Sequence, residues 1–243
     1  MKKTTSLVAL AASTAAFAAA LTLPSVALAD LALNVGGVSD YRYRGISQSR
    51  LKPAVQGGID FDTNGFYVGF WGSSIKWIKD VGGDAPAEFD FYGGYKGDIV
   101  KGSLTYDVGV LTYQYPSNKL SPKAETTEVY GALTFGPATL RYSHSVTNLF
   151  GFANSKGSGY VDLSANFEVA GLTLTPHMGY QKVAKNSFVT YTDYSLIVSK
   201  EVVKGLTLSG GVVGADTKTN AYVSPAGKDL GKAGAVVGVK YAF

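Results

Sequence analysis

Two short stretches hold residue types that do chemistry. In Tyr142-Ser143-His144-Ser145, with Asn148 just beyond, two serines stand beside a histidine, the ingredients of a nucleophile and its base. Read as a strand, however, the stretch puts His144 on the face of Tyr142 and both serines on the opposite face, out of the base's reach. Catalysis is therefore not expected. His177 has no second histidine or cysteine with ligand spacing, so no metal site is indicated. No glycine-rich phosphate loop opens a helix, and no cofactor is expected.

The remaining chemistry is charge placed at intervals of two. Asp40, Arg42, Arg44, Asp60, Glu88, Asp90, Asp107, Glu128, Arg141 and Lys240 each sit on the polar side of an alternating stretch. If these sides face one narrow lumen, Arg42, Arg44, Arg141 and Lys240 form a basic stripe opposite Glu88, Asp90, Asp107 and Glu128. Such a pair of walls would produce a transverse field, as in channels whose selectivity comes from charged rings. The bland reading has the same charges pairing with neighbours and stiffening the wall. Asp62 and Glu168 lie next to turns and are expected to be solvated.

The elements that must position these charges are strands. From Ala235 to the end, Ala235, Val237, Val239, Tyr241 and Phe243 alternate with small residues and Lys240, the period of a strand with two unlike faces. The same alternation recurs along the chain, beginning with residues 31–43, where Tyr41 and Tyr43 continue the apolar side of Leu31, Leu33 and Val35. It predicts twelve strands, or ten if residues 66–74 or the stretch holding Pro176 are miscounted. Connections near residues 63–65, 97–101, 136–137, 169–171 and 201–205 are short. Those near 45–53, 75–86, 116–124, 147–158, 182–190 and 217–232 are long. Asn64-Gly65 supplies the positive φ values of a tight hairpin. Phe61, Phe66, Phe135, Phe167 and Phe243 fall at the short-turn end; Tyr43, Tyr113, Tyr142, Tyr160, Tyr180 and Tyr194 fall near the long-loop end. Two aromatic girdles and one-sided long loops predict an all-β fold, a transmembrane antiparallel up-and-down β-barrel. Pro176 lies inside a strand, where its missing donor predicts a bulge or irregular pairing.

Composition agrees. The 243 residues include 30 glycines, 16 tyrosines and 12 phenylalanines, with 16% charged. Lys2 and Lys3, the alanine-rich apolar run from Leu7 to Leu23 and Ala27-Leu28-Ala29 read as a cleaved secretory signal peptide over residues 1–29, leaving a barrel over 30–243. Removing Lys2 and Lys3 from 22 basic residues leaves 20 against 18 acidic ones, so the pI near 9.0 is no argument for a nucleic-acid partner. The absence of cysteine suits an oxidising periplasm. Beyond the signal peptide no apolar run reaches the length of a transmembrane helix, and only closure satisfies every backbone group of strands in lipid.

Ser39-Asp40-Tyr41-Arg42-Tyr43-Arg44-Gly45-Ile46-Ser47-Gln48-Ser49, then Pro53-Ala54-Val55-Gln56-Gly57 and Gly65-Phe66-Tyr67-Val68-Gly69, resemble the opening of the proteobacterial TorF-type porins, a family long described only as conserved hypothetical proteins. The resemblance implies an outer-membrane barrel with a channel role and no stated solute. The functional expectation is passive diffusion of small hydrophilic solutes with a weak anion preference, both termini being periplasmic. The partners expected are outer-membrane lipid, periplasmic chaperones and the barrel-assembly machinery, for which Tyr241 and Phe243 would be the assembly signal. Two alternatives stay open: a closed structural or adhesive barrel acting through its extracellular loops, and an outer-membrane lipid hydrolase, whose histidine word Tyr142 to Asn148 resembles only loosely.

Overall fold

The computed structural model describes residues 30–217 and 220–243. The signal peptide read over residues 1–29 lies outside them. Twelve strands run in sequence order: β1 (Asp30–Val38), β2 (Ala54–Thr63), β3 (Phe66–Ser74), β4 (Ala87–Val100), β5 (Leu104–Gln114), β6 (Thr126–Phe135), β7 (Ala138–Ser145), β8 (Gly159–Ala165 with Phe167–Val169), β9 (Leu172–Lys182), β10 (Tyr191–Val203), β11 (Leu206–Thr217) and β12 (Gly234–Ala242). Each pairs antiparallel with the next, and β1 pairs with β12 from Asn34 opposite Ala242 to Val38 opposite Gly238, which closes the barrel. Among the described residues no edge of the barrel sheet is left open to lipid.

The alternation sets the two surfaces. Val68, Phe91, Val108, Leu163, Leu196 and Val237 point outward and are exposed, while Trp71, Asp90, Tyr113, Asp162 and Asp193 on five of the same strands are buried inside. Residues 66–74, which the sequence alone could have miscounted, form a wall strand that sends Val68 out and Trp71 in. A sheet whose outer face is apolar and whose inner face carries carboxylates is the reverse of a soluble domain. The Asn64-Gly65 turn has φ values of 50° and 85°, and a Cβ on Gly65 would meet the Lys96 carbonyl at 2.5 Å, so glycine is needed twice over.

Pro176 behaves as its chemistry requires. Its pairing with Leu196 on β10 continues unbroken, but on the β8 side the ladder is interrupted at Asn166. On its other side Asn166 continues the ladder towards β7, donating its N–H to the Pro137 carbonyl at 2.9 Å. The register is the same on both sides of the gap, Ser164 facing His177 and Phe167 facing Leu174.

Strand β1 departs from expectation. It ends at Val38 rather than continuing to Tyr43, and residues 40–49 turn inward before the chain returns to the surface at Arg50. Arg42–Tyr43 pairs with Ile46–Ser47 as a small hairpin inside the barrel, its turn made by Arg44 (φ 46°) and Gly45 (φ 80°). Asp40, Arg42 and Arg44 are therefore not residues of a wall strand. Three of the six long-loop tyrosines also leave the girdle: Tyr43, Tyr113 and Tyr160 are buried inside, whereas Tyr142, Tyr180 and Tyr194 are exposed. At the other rim Phe61, Phe66, Phe135, Phe167 and Phe243 are all exposed.

Candidate functional site

The interior has two layers. The one nearer the long loops is organised by the hairpin, whose residues 40–49 are all buried. Asp40 holds it together, accepting from Arg42 Nε at 2.5 Å, Ser47 Oγ at 2.5 Å and Ser49 Oγ at 3.1 Å. Arg42 Nη1 also donates to the carbonyls of Leu230 and Lys232 at 3.0 and 3.1 Å, which ties the hairpin to the segment before β12.

Opposite, the hairpin reaches β4, β5 and β6. The Tyr41 hydroxyl donates to Glu88 Oε1 at 2.6 Å, and the Tyr43 and Tyr113 hydroxyls meet at 2.5 Å. Burial, reinforced by the Glu88 and Asp90 carboxylates, pushes the Tyr41 hydroxyl well above the usual tyrosine range, so it remains a donor. Arg44 makes the strongest contact. Its Nη1 and Nη2 grip the two Glu128 oxygens at 3.0 and 2.7 Å, and Nη1 donates to Gln181 Oε1 at 2.6 Å. Its guanidinium lies 4.1 Å above the Tyr160 ring. A bidentate, stacked, buried arginine is a pairing that lysine cannot imitate. Gly45 completes the span, since a Cβ there would lie 2.6 Å from the Gly214 carbonyl and 2.7 Å from the Asp193 Cβ. The hairpin thus crosses the lumen from β10 and β11 to β4–β6.

Around it the wall is acidic. Both oxygens of Asp90 are buried without a partner, as is one oxygen of Asp162. Asp162 Oδ2 lies 2.6 Å from His177 Nε2, and His177 Nδ1 lies 3.6 Å from Asp193 Oδ1. Tyr160 donates to Asp193 at 3.1 Å. Among the described residues no group of three or more acidic, histidine or cysteine side chains is placed to hold a metal ion.

The second layer lies towards the short turns. Tyr67 donates to Asp107 at 2.5 Å and also meets Tyr130; Tyr92 donates to Asp60. Arg141 stacks 3.7 Å over Tyr130. Lys240 is half-buried on the inner face of β12, and Lys96 pairs with Asp62. Asp62 is thus ion-paired, not only solvated.

All ten charged residues picked from sequence point inside the barrel, but not as two opposed walls. Closure does place β1 beside β12, yet Arg42 has left β1 and shares no wall with Lys240. The basic stripe is broken, because Arg42 and Arg44 neutralise Asp40 and Glu128. Sequence reading missed the hairpin's partners Tyr113, Tyr160 and Gln181. Parity alone could have found all three, since Tyr113 shares its face with Asp107, Tyr160 with Asp162 and Gln181 with His177. At the rim, Ser143 and Ser145 are buried while His144 Nδ1 meets the Tyr142 hydroxyl at 3.3 Å.

A closed antiparallel barrel with an apolar outer band and a charged interior is a membrane-spanning β-barrel. A family model described as a bacterial protein of unknown function (Gcw_chp) matches residues 25–243, and the chain belongs to that family. No curated protein matches it by sequence. Among solved structures it is similar to an outer membrane channel from Pseudomonas putida, at 11% identity over 91% of this chain and 96% of that one, with a TM-score of 0.48. A mutant porin from Rh. blastica matches at 13% identity over 88% and 73%, with a TM-score of 0.42. The outer membrane protein OprD from Pseudomonas aeruginosa matches at 14% over 88% of this chain, with a TM-score of 0.40, and the chain spans 65% of its length. Identities this low speak to no solute.

Proposed function

We propose that the chain is a channel of the bacterial outer membrane for passive diffusion of small hydrophilic solutes, with the hairpin of residues 40–49 as its plug. The observation that carries this is the polar seam between hairpin and wall. Twelve strands enclose more room than their own side chains fill. The space is filled by a segment that packs Tyr41, Tyr43 and Ile46 into apolar clusters and is also held by hydrogen bonds and an ion pair, polar contacts that water can replace once the segment moves. Long loops on one side and both termini on the other support periplasmic termini. Tyr241 and Phe243, packed edge to face at 4.9 Å on the terminal rim, are suited to be read by the assembly machinery.

The charge arrangement supports cation preference. The anion preference expected from Arg42, Arg44, Arg141 and Lys240 loses its basis once Arg42 and Arg44 are ion-paired on the hairpin itself. Displacing the hairpin withdraws both arginines and leaves Glu88, Asp90, Glu128, Asp162 and Asp193 along the wall. Planar-bilayer recording in a potassium chloride gradient tests this. Discrete steps with a cation-selective reversal potential are expected; an anion-selective potential that moves with Lys240→Ala overturns the charge assignment.

The second reading, a closed barrel that acts through its loops, is favoured by the hairpin's reach across the lumen. It predicts silence in the wild-type protein and equally in a variant with a loosened hairpin.

A further inference from the structure

The three long-loop tyrosines that stay on the outer surface stand on one side of the barrel: Tyr142 on β7, Tyr180 on β9 and Tyr194 on β10. Pairing fixes how the first two are placed. Both lie opposite Val161 of β8, and one step nearer the loops His144 and Lys182 both lie opposite Gly159. With neighbouring strands about 5 Å apart, the backbones of His144 and Lys182 flank that glycine roughly 10 Å from each other. Gly159 leaves a notch between them, floored by Tyr142, whose hydroxyl a Cβ there would meet at 2.7 Å. One step further from the loops, Leu140, Leu163 and Met178 form an exposed apolar row across the same three strands.

The loops above this row add charge of one sign. The β7–β8 and β9–β10 loops are joined, Ala184 donating its N–H to Ser158 Oγ at 3.0 Å and Asn186 Nδ2 donating to the Ala153 carbonyl at 2.9 Å. They carry Lys156 and Lys185, which with Lys182 are exposed. Elsewhere on the long-loop rim Arg50 pairs with Asp80, and Lys79 and Lys119 with Asp84, but among the described residues none of Lys156, Lys182 and Lys185 has an acidic partner. The carboxylate that faces outward on this side, Asp216, is on β11, opposite Thr192 and two strands away from Lys182. The Tyr142 hydroxyl and His144 Nδ1, 3.3 Å apart, share one proton and leave a second N–H or O–H to donate whichever tautomer holds.

We propose that this patch seats a phosphorylated lipid of the outer leaflet, its phosphate held by Lys156, Lys182 and Lys185 and its acyl chains lying on Leu140, Leu163 and Met178. Three unpaired cations beside a spare donor suit a phosphate, and tyrosines at headgroup level mark the depth at which it lies. A zwitterionic headgroup brings no net charge to the lysines, and a free phosphate makes no use of the apolar row. The inference rests on the reading that the long loops face outward from the outer membrane; it does not need the barrel to conduct.

The test mixes the barrel, purified from outer membranes in detergent, with bisphosphorylated lipid A and reads retained lipid by native mass spectrometry. The wild type should retain lipid A saturably and phosphatidylcholine no more than background. Lys156→Gln, Lys182→Gln and Lys185→Gln together should weaken retention about fivefold per lysine, roughly a hundredfold in all. The same change at Lys52, Lys123 and Lys228, exposed on the loops before β2, β6 and β12, removes equal charge and should leave retention within about twofold of wild type, because distant charges are screened. Inorganic phosphate should not displace the lipid, and heat-modifiable migration reports that each variant is folded. Orientation is read separately: the chain has no cysteine, so Ser187→Cys on the β9–β10 loop should be labelled in intact cells by a maleimide too bulky to cross the outer membrane. The proposal is overturned by a folded patch variant that retains lipid A as the wild type does, by equal losses in the two triple variants, by equal retention of phosphatidylcholine, or by displacement with inorganic phosphate at the lipid's own concentration. An unlabelled Ser187→Cys overturns the orientation and the proposal with it; labelling without lipid retention overturns the proposal alone.

Discussion

The Arg44–Glu128 pair is where the plug is best tested. Glu128 is 2% exposed, and besides Arg44 it accepts a long hydrogen bond from the Tyr113 hydroxyl at 3.3 Å. Arg44→Met removes both guanidinium contacts at 3.0 and 2.7 Å and strands the carboxylate under the hairpin. Removing one partner of a buried pair costs about 3–5 kcal/mol, because the other charge is left uncompensated. At about 1.4 kcal/mol per factor of ten, that moves the hairpin's docked-to-undocked ratio by roughly two to three and a half decades. Undocking relieves the penalty by letting water reach Glu128. The closed ladder of the barrel does not depend on the pair, so heat-modifiable migration should be unchanged. In planar bilayers Arg44→Met should pass long-lived openings where the wild type opens seldom. Arg44→Met combined with Glu128→Gln removes the stranded charge and should return the behaviour most of the way to wild type, since replacing both partners is far less costly than removing one. A folded Arg44→Met barrel with the conductance of the wild type would refute the plug. A double variant as open as the single one would refute the stranded charge as the cause.

Gly45→Ala puts a methyl within 2.7 Å of both the Gly214 carbonyl and the Asp193 Cβ, at a φ of 80°, and should cost the docked hairpin about 1–3 kcal/mol; bilayer open time should rise without loss of barrel content by circular dichroism. Leu196→Arg, at the middle of β10 and 48% exposed, should destabilise the barrel by about 2–4 kcal/mol, read by guanidinium unfolding in liposomes. Phe243→Ala removes an exposed rim aromatic that packs on Tyr241, and should lower the amount of barrel recovered from cells while leaving refolding into detergent intact.

Much of this architecture is legible in the residues alone. Side-chain parity is a local property of an extended backbone, so Val108 outward and Asp107 inward follow from their positions in the chain. Asn64-Gly65 turns where its φ values allow, and Pro176 breaks the ladder where its missing N–H must. What no local rule decides is where an alternating segment goes. Tyr41 and Tyr43 continue the pattern of Leu33 and Val35 and read as more of β1. They belong instead to a hairpin, because Asp40 gathers Arg42, Ser47 and Ser49 around itself, and because the partners of Tyr41 and Arg44 lie 47, 84 and 137 residues away. Those partners come within reach only when the barrel closes. The sequence by itself determined the strands, their faces, the turns and the membrane-facing band; the tertiary structure decided that the lumen is occupied, which charges cancel and which stay unpaired. The physical reason is range: alternation and turn geometry act between neighbours, whereas an ion pair inside a barrel depends on strands that only closure brings together.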